Sequence, residues 1–290
     1  MKLRQITVIG TGLIGGSLAL ALKKHGFAGR VVGCDKEVVL ARAKKRKLID
    51  AGVTEPARAM AGSDIVVLAT PVGQILDLIE RLGPRLEPRA LLTDVGSTKV
   101  EIVARARAVF GAEAPQRFLG GHPIAGREHA GIEHADAGLF QGAPWLFTPQ
   151  PGQQVKQGLS GEFLKLVKRV GAKPVLLEAE RHDRLCAWAS HLPQMLSTAL
   201  AAAVEEESGG DAQLRAVRGR ALSDMTRLAA SPYAMWRDIA LTNSANIEAA
   251  LLKLEQKLAH MRENLMTAEL REEFDRATRF RHRDTEPQRE

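Results

Sequence analysis

The chain begins with a short β-branched run, Ile6 to Ile9, followed at once by Gly10, Gly12 and Gly15 and then by a stretch of helical character from Leu13 to His25. Gly26 closes that stretch, and a second apolar run, Arg30 to Cys34, ends on the acid Asp35. Further along, short apolar runs between turn residues predict strands at Asp64 to Ala69, Ala90 to Val95, Phe118 to Gly121, Trp145 to Thr148 and Pro174 to Leu177. Helical spacing fills most of the gaps, notably Gln74 to Leu82, Lys99 to Val109 and Leu159 to Val170. This alternation is the pattern of an α/β fold, a Rossmann-type doubly wound parallel sheet with helices on both faces. Near residue 180 the strand signals stop, and from Arg181 to about Ala277 the spacing is helical throughout. The chain therefore divides into a dinucleotide-binding domain at 1–180, an all-helical substrate and dimerisation domain at 181–278, and a polar tail at 279–290 that is expected to fray.

The glycines have separate physical tasks. Gly10 permits the tight turn from strand to helix, Gly12 lets the backbone approach a pyrophosphate, and Gly15 lets helix and strand pack closely. The phosphates would sit on the helix N-terminus. Asp35 follows Gly10 by 25 positions, near the roughly 20 expected of an acid that hydrogen-bonds a ribose 2′-hydroxyl. That points to NAD, although Lys36 beside it could pair with the 2′-phosphate of NADP. The cofactor-binding set read from the pattern is Gly10, Gly12, Leu13, Ile14, Gly15 and Asp35, with Thr70 and Pro71 at the end of a later strand.

Composition narrows the class. At 290 residues and 45% apolar content the chain can bury real cores. Its opening Met-Lys-Leu-Arg and the apolar residues to Leu22 resemble a signal peptide, but the glycines and the strand-turn-helix reading account for them. No other stretch approaches the about 18 uninterrupted apolar residues of a membrane span. Two cysteines, Cys34 and Cys186, are too few for a disulfide framework, so a cytoplasmic location is expected. The net charge of +7 is spread along the chain and aromatics are only 4%, which favours a basic enzyme acting on an anionic small molecule over a nucleic-acid or membrane partner. The apolar excess of the C-terminal helices predicts a subunit interface, and a homodimer is the commonest outcome.

In an open α/β sheet, ligands bind beyond the carboxyl ends of the strands. Three segments stand there: Thr70-Pro71-Val72, Gly96-Ser97-Thr98-Lys99, and His122-Pro123-Ile124-Ala125-Gly126-Arg127-Glu128. Thr98 is as well explained as a helix N-cap, whereas Ser97, nearer the strand, is placed to face a ligand. His122 opens a long loop at a strand end, where a neutral imidazole with an ordinary pKa near about 6.5 could accept a proton. The helical part adds Glu180-Arg181-His182-Asp183, Ser190-His191-Leu192-Pro193-Gln194, and a helix break with Arg227 before it and Trp236-Arg237-Asp238 after it. Pro193 inside a helix removes one hydrogen bond, which is tolerated mostly where something else is gained. No cluster has metal-ligand spacing, and no metal is expected.

With these residues in view, the chain resembles the prephenate dehydrogenase family from Gly10 to about Phe274. The specific pieces are Asp94-Val95-Gly96-Ser97-Thr98-Lys99, Gly121-His122-Pro123-Ile124-Ala125-Gly126-Arg127-Glu128, His182-Asp183 with Ser190-His191-Leu192-Pro193, and Thr226-Arg227-Leu228-Ala229-Ala230-Ser231 with Met235-Trp236-Arg237-Asp238. The resemblance implies oxidative decarboxylation of prephenate or arogenate with hydride transfer to NAD⁺, in tyrosine biosynthesis. It implies that His122 bonds the ring hydroxyl of an anionic cyclohexadiene, that Ser97 orients that hydroxyl and the nicotinamide, and that Arg227 grips a carboxylate. By the same matching Glu128 lies at the pocket entrance, His191 in the pocket wall, Gln194 near the substrate side chain, and Trp236 near the dimer-related site.

Two positions depart from the family pattern. Many relatives carry a second histidine where this chain has Gln194, and a Gly-Gly pair where it has Gly219-Arg220. Gln194 has no negative charge to pair with arogenate's ammonium, which tilts the expectation towards prephenate. A β-hydroxyacid or 6-phosphogluconate dehydrogenase would need a catalytic lysine in the helical part, and none is apparent between Arg181 and Leu252. An NAD-binding redox sensor that contacts nucleic acid would need a basic helix-turn-helix, which is not found.

Overall fold

The computed structural model describes residues 3–126, 131–217 and 219–285, so Glu128 lies outside the described residues. The chain forms two compact units, Met1–Ser244 and Ala245–Glu290. In the first unit the strands are β1 (Gln5–Ile9), β2 (Arg30–Cys34), β3 (Ala51–Val53), β4 (Ile65–Leu68), β5 (Leu91–Asp94), β6 (Phe118–Pro123), β7 (Pro144–Thr148) and β8 (Lys173–Leu176). Its helices are α1 (Leu13–Lys24), α2 (Glu37–Lys45), α3 (Pro56–Ala59), α4 (Val72–Leu82), α5 (Val100–Phe110), α6 (Ala114–Arg117), α7 (Gly158–Arg169), α8 (Ala179–Cys186), α9 (Leu192–Ser208), α10 (Ala212–Val217), α11 (Arg220–Thr226) and α12 (Tyr233–Thr242).

The eight strands form one sheet in the order β3-β2-β1-β4-β5-β6-β7-β8. Apolar residues on both faces explain why the strands read as runs: Ile6 and Val8 face the core that holds Leu18, Trp145 and Phe163, while Ile9 faces the one that holds Ile75, Leu92 and Phe118. Each such side chain, fully buried, contributes about 1.5–3 kcal/mol. The sheet departs from the all-parallel expectation once, where β7 runs antiparallel to β6. A parallel return needs a crossover, usually a helix. Between β6 and β7 the described residues contain only a short 3₁₀ turn, Ile132–His134. After β7, α7 supplies a crossover and β8 is parallel again.

Among the described residues the last strand ends at Leu176, and from Ala179 onward the chain is a succession of helices joined by short connections. The change in pattern near residue 180 is nevertheless not where the compact units divide. The reason is polar stitching: Asp183 of α8 binds the start of α5, and Asp238 of α12 accepts a hydrogen bond from Gly73 N of α4 at 3.0 Å. The helix around Pro193 is widened rather than broken. Residues Ala187–His191 form a π turn joining α8 to α9, and the looser spacing accommodates a ring that would clash with the carbonyl four residues back in a regular α-helix.

The second unit contains α13 (Ser244–Glu263), apart from its first residue, and α14 (Ala268–Thr285). Lys257 Nζ meets Glu273 Oε1 at 2.9 Å across the pair. α14 continues to Thr285, so residues 279–285 of the tail expected to fray are helical, helped by three arginines, which are good helix formers, while 286–290 lie outside the described residues. Leu252, Leu258, Met266, Phe274 and Phe280 are exposed along this unit. Among the described residues, no helix is long and apolar enough to cross a membrane.

Candidate active site

The turn between β1 and α1 is held by its neighbours. Gly10 sits at φ +93°, and a Cβ there would stand 2.5 Å from Ala69 O. A Cβ on Gly15 would stand 1.9 Å from Gly10 O, whereas one on Gly12 would meet nothing within 4 Å. The backbone at Gly12 is therefore open, and α1 starts there with no side-chain cap. Its first N–H groups, those of Leu13 and Ile14 among them, are available to an anion. Asp35 is half-buried beside the turn, accepting Thr11 N at 2.8 Å and Thr11 Oγ1 at 3.1 Å through Oδ2. Thr70 Oγ1, opposite Gly10, is buried without a hydrogen-bond partner among the described residues. Pro71 lines an open cleft of about 440 Å³ with Gly73, Gln74, Arg105, Arg237 and Asp238. An open glycine, an uncapped helix start, an acid at the second strand's end and an orphaned hydroxyl are the donor set that suits a dinucleotide.

Two strands along the sheet from β1, at the end of β5, lies a buried polar core. Asp94, at the end of β5, accepts Gly96 N at 2.8 Å and Gly121 N at 3.1 Å. It also pairs with the ammonium of Lys99, which donates to Gly121 O at 2.8 Å. Both side chains are fully buried. This knot ties the loop after β5 to the strand that carries His122. Thr98 does not cap α5; its hydroxyl meets Thr242 Oγ1 at 2.8 Å. The cap comes from Asp183, distant in sequence, which accepts Lys99 N at 2.7 Å and Val100 N at 2.9 Å.

The same carboxylate starts a chain of defined direction. Asp183 Oδ1 lies 2.7 Å from His182 Nδ1, and His182 Nε2 lies 2.9 Å from His122 Nδ1. A carboxylate oxygen that already receives backbone N–H groups acts as an acceptor, so His182 donates from Nδ1 and keeps a lone pair on Nε2. His122 must then donate from Nδ1. Its Nε2 is left as a proton acceptor. Burial, then the neighbouring His182, Lys99 and His191, hold the His122 pKa well below 6.5, in place of the ordinary value expected from sequence. Burial lowers His182 as well, against the opposing pull of Asp183. Both rings are neutral at neutral pH.

His191, in the π turn, is fully buried. Asn243 Nδ2 donates to its Nδ1 at 3.1 Å and to Asp183 O at 2.9 Å, so the proton of His191 is on Nε2. Burial brings the His191 pKa down to about 4. Trp236 meets its ring edge-on with centroids 5.9 Å apart. His191 Nε2 and Trp236 Nε1 are both buried without a hydrogen-bond partner among the described residues. One histidine thus offers an acceptor and the other a donor.

The structure brings His122, His182, Asp183, His191 and Trp236 into one network, with half-buried Ser97 next in sequence to Gly96 of the knot. Gln194 stands elsewhere: its amide nitrogen donates to Leu228 O at 2.8 Å and Thr198 Oγ1 at 3.1 Å. Together with Ser197, whose hydroxyl accepts Ala229 N at 3.1 Å, it holds the 3₁₀ turn Arg227–Ala230 that begins with the exposed Arg227. Sequence reasoning did not single out Asn243 as the partner that orients His191, nor Cys186 as a thiol packed beside the histidine pair. Cys186 Sγ lies 3.5 Å from His182 Nε2 and 3.9 Å from His122 Nδ1, and burial pushes its thiol up to about 12. Only its spacing of four from His182 on one helix hinted at this.

Two family profiles match, described as the nucleotide-binding domain of prephenate dehydrogenase over residues 18–176 and the dimerization domain of prephenate dehydrogenase over residues 178–279. The prephenate dehydrogenase of Lactococcus lactis subsp. cremoris is 32% identical over 262 residues, covering 90% of this chain and 70% of that protein. Among solved structures, prephenate dehydrogenase from A. aeolicus in complex with hydroxyphenyl propionate and NAD⁺ superposes with a TM-score of 0.85 at 29% identity, over 99% of both chains. An arogenate dehydrogenase from Synechocystis superposes with a TM-score of 0.78 at 29% identity, over 97% of this chain and all of that one.

Proposed function

The chain belongs to the prephenate dehydrogenase family, and on that premise we propose that it oxidises prephenate to 4-hydroxyphenylpyruvate and CO₂ with NAD⁺. The observation that carries this reading is the directed chain from Asp183 through His182 to His122, which leaves an acceptor nitrogen at the carboxyl end of the sheet. Gly10, Gly12, Leu13, Ile14 and Gly15 would hold the pyrophosphate, Asp35 the adenine-side ribose, and Thr70 and Pro71 the adjoining part of the dinucleotide. When bound, NAD⁺ supplies the hydride acceptor.

His122 Nε2 takes the proton from the ring hydroxyl as the carbonyl forms. The imidazolium that results is steadied through His182 by Asp183, the logic of any base oriented by a third group. Ser97 orients the hydroxyl, and Arg227 grips a carboxylate with its planar fork. His191 and Trp236 offer N–H donors in the pocket wall. Loss of the ring carboxylate as CO₂ leaves an aromatic ring, which makes the sequence of steps irreversible. Gln194 is neutral and its amide nitrogen is engaged, so it offers no anion to the ammonium of arogenate; this favours prephenate. A homodimer is supported by the matching dimerization domain and the exposed apolar residues of the second unit. A cytoplasmic location fits the two free thiols.

The test is NADH or NADPH formation with prephenate and arogenate offered in parallel, each with NAD⁺ and NADP⁺. Prephenate with NAD⁺ is the expected pair. Greater turnover of arogenate would overturn the substrate preference, and no turnover of either would overturn the reaction. His122→Asn should lower kcat about 10²–10⁴-fold, the range of a lost acid-base group, while NADH binding is kept.

A further inference from the structure

His122, His182 and Cys186 place three metal-ligating atoms within 4.8 Å of one another in a buried cluster. From this geometry we propose that the enzyme carries an inhibitory site for a borderline divalent transition metal such as Zn²⁺, formed by His122 Nδ1, His182 Nε2 and Cys186 Sγ. The site goes beyond the dehydrogenase reaction and does not depend on which substrate is used.

The distances fit. The separations are 2.9 Å between the two nitrogens, and 3.5 and 3.9 Å from the sulfur to His182 and His122. With Zn–N of about 2.0–2.1 Å and Zn–S of about 2.3 Å, tetrahedral geometry puts the corresponding edges at about 3.3 and 3.6 Å. Each edge needs an adjustment of less than about half an ångström. The support is also in place, because the Nδ1–H of His182 donates a hydrogen bond to Asp183 Oδ1, the carboxylate–histidine arrangement that orients metal ligands and raises their basicity. The three ligand types, two imidazoles and a thiol, select zinc over magnesium or calcium.

Charge fits as well. Asp94 and Asp183 against Lys99 give the cluster a formal charge of −1, and a dication with one thiolate brings the sum to zero. Coordination proceeds without redox change: the Cys186 S–H bond breaks, its proton leaves to solvent, and sulfur, with two nitrogen lone pairs, binds the metal. His122 must present a lone pair from Nδ1, so its ring proton moves to Nε2. That tautomer can donate a hydrogen bond but cannot accept the substrate proton. Inhibition therefore follows from the same nitrogen chain that supports turnover.

The test uses the whole protein with Co²⁺ and Zn²⁺ as probes. One equivalent of Co²⁺ per chain should give visible d–d bands and a near-ultraviolet thiolate-to-cobalt charge-transfer band, both removed by Zn²⁺; this readout needs no substrate. Zn²⁺ at low concentration should suppress turnover in a way a chelator reverses. Cys186→Ala should keep turnover near that of the parent, lose the charge-transfer band, and need at least about tenfold more Zn²⁺ for inhibition, the scale on which metal sites respond to damaged ligation. Cys186→Ser serves if the alanine variant is poorly folded. Cobalt bands without thiolate charge transfer in the parent, or equal zinc sensitivity in the Cys186 variants, would overturn the site. A failure of the dehydrogenase reading would appear instead as absent turnover with the cobalt spectrum intact.

Discussion

Gly12 and Gly15 lie three positions apart in one turn, yet their surroundings predict opposite outcomes for the same added methyl group. A Cβ at Gly15 would stand 1.9 Å from Gly10 O, 2.8 Å from Val8 Cγ1 and 3.0 Å from Ala69 Cβ. The nearest atom is backbone and cannot swing aside, so Gly15→Ala belongs at the upper end of the overpacking range, about 3 kcal/mol. At about 2–4 °C per kcal/mol, the melting temperature should fall by roughly 6–12 °C. Gly12 has φ −71° and nothing within 4 Å of its Cβ position. Gly12→Ala exchanges one N-cap residue for a poorer one, a cost of about 1 kcal/mol or less. Its effect should be on the dinucleotide. A methyl group holding the pyrophosphate off the helix start forfeits one charge-assisted hydrogen bond, about 1.5–3 kcal/mol, which raises the Kd for NADH about 10–150-fold. Thermal scanning and NADH fluorescence titration on the two variants measure both quantities. Parent-like NADH affinity in Gly12→Ala would refute the claim that the pyrophosphate crosses that glycine, and an unchanged melting temperature in Gly15→Ala would refute the packing argument.

Lys99→Met should destabilise the protein by about 3–5 kcal/mol, because Asp94 is left buried without its cation. It should also move the acid limb of kcat/KM to higher pH, since Lys99 is one of the groups that hold His122 down; an unmoved limb would remove Lys99 from the electrostatics of the site. Acidification should weaken the fold through the buried histidines. The His191 pKa is lowered from 6.5 to about 4 in the folded state, so its stabilisation is present above pH 6.5 and is lost as the pH falls from there towards 4, by about 3 kcal/mol. Urea midpoints across that window, flat in the parent protein, would contradict this, and His191→Asn should reduce the slope. Arg227→Ala should raise KM for prephenate far more than it lowers kcat, and steady-state kinetics that showed the reverse would take Arg227 out of ground-state binding.

What the sequence disclosed follows from the range of the forces involved. β1, α1 and β2 were legible because the glycines act on neighbours a few residues away, and an apolar strand buried on both faces leaves a continuous run. β3 was missed because three half-exposed residues around Gly52 form no run. The reversed direction of β7 was not legible, since nothing in a strand's own residues states which way its neighbour points. The candidate site residues showed the same limit. Ser97, His122, His191, Arg227 and Trp236 stood out through their place beside strand ends and helix breaks or through the family resemblance. The cap of α5 by Asp183, separated by 84 positions from Lys99, had no local signal, and Thr98 looked like the cap for that reason. Cys186 reads as an ordinary buried thiol until β6 brings His122 beside it.

The π turn at Ala187–His191 sets the phase of one continuous helical rod. In a regular α-helix residue 194 would stand about 120° around the axis from residue 182, but the extra residue taken up by a single π turn reduces that to about 20°. Gln194, which anchors the turn of Arg227, is thereby rotated onto the side of the rod that carries His182 and Cys186. The rod works as an indexing shaft, with the histidine pair at one end, the anchor of the Arg227 turn at the other, and a single inserted residue keeping them in register. Deleting one residue between 187 and 190 would leave the helix intact, and both ends folded, while turning them about 100° out of alignment.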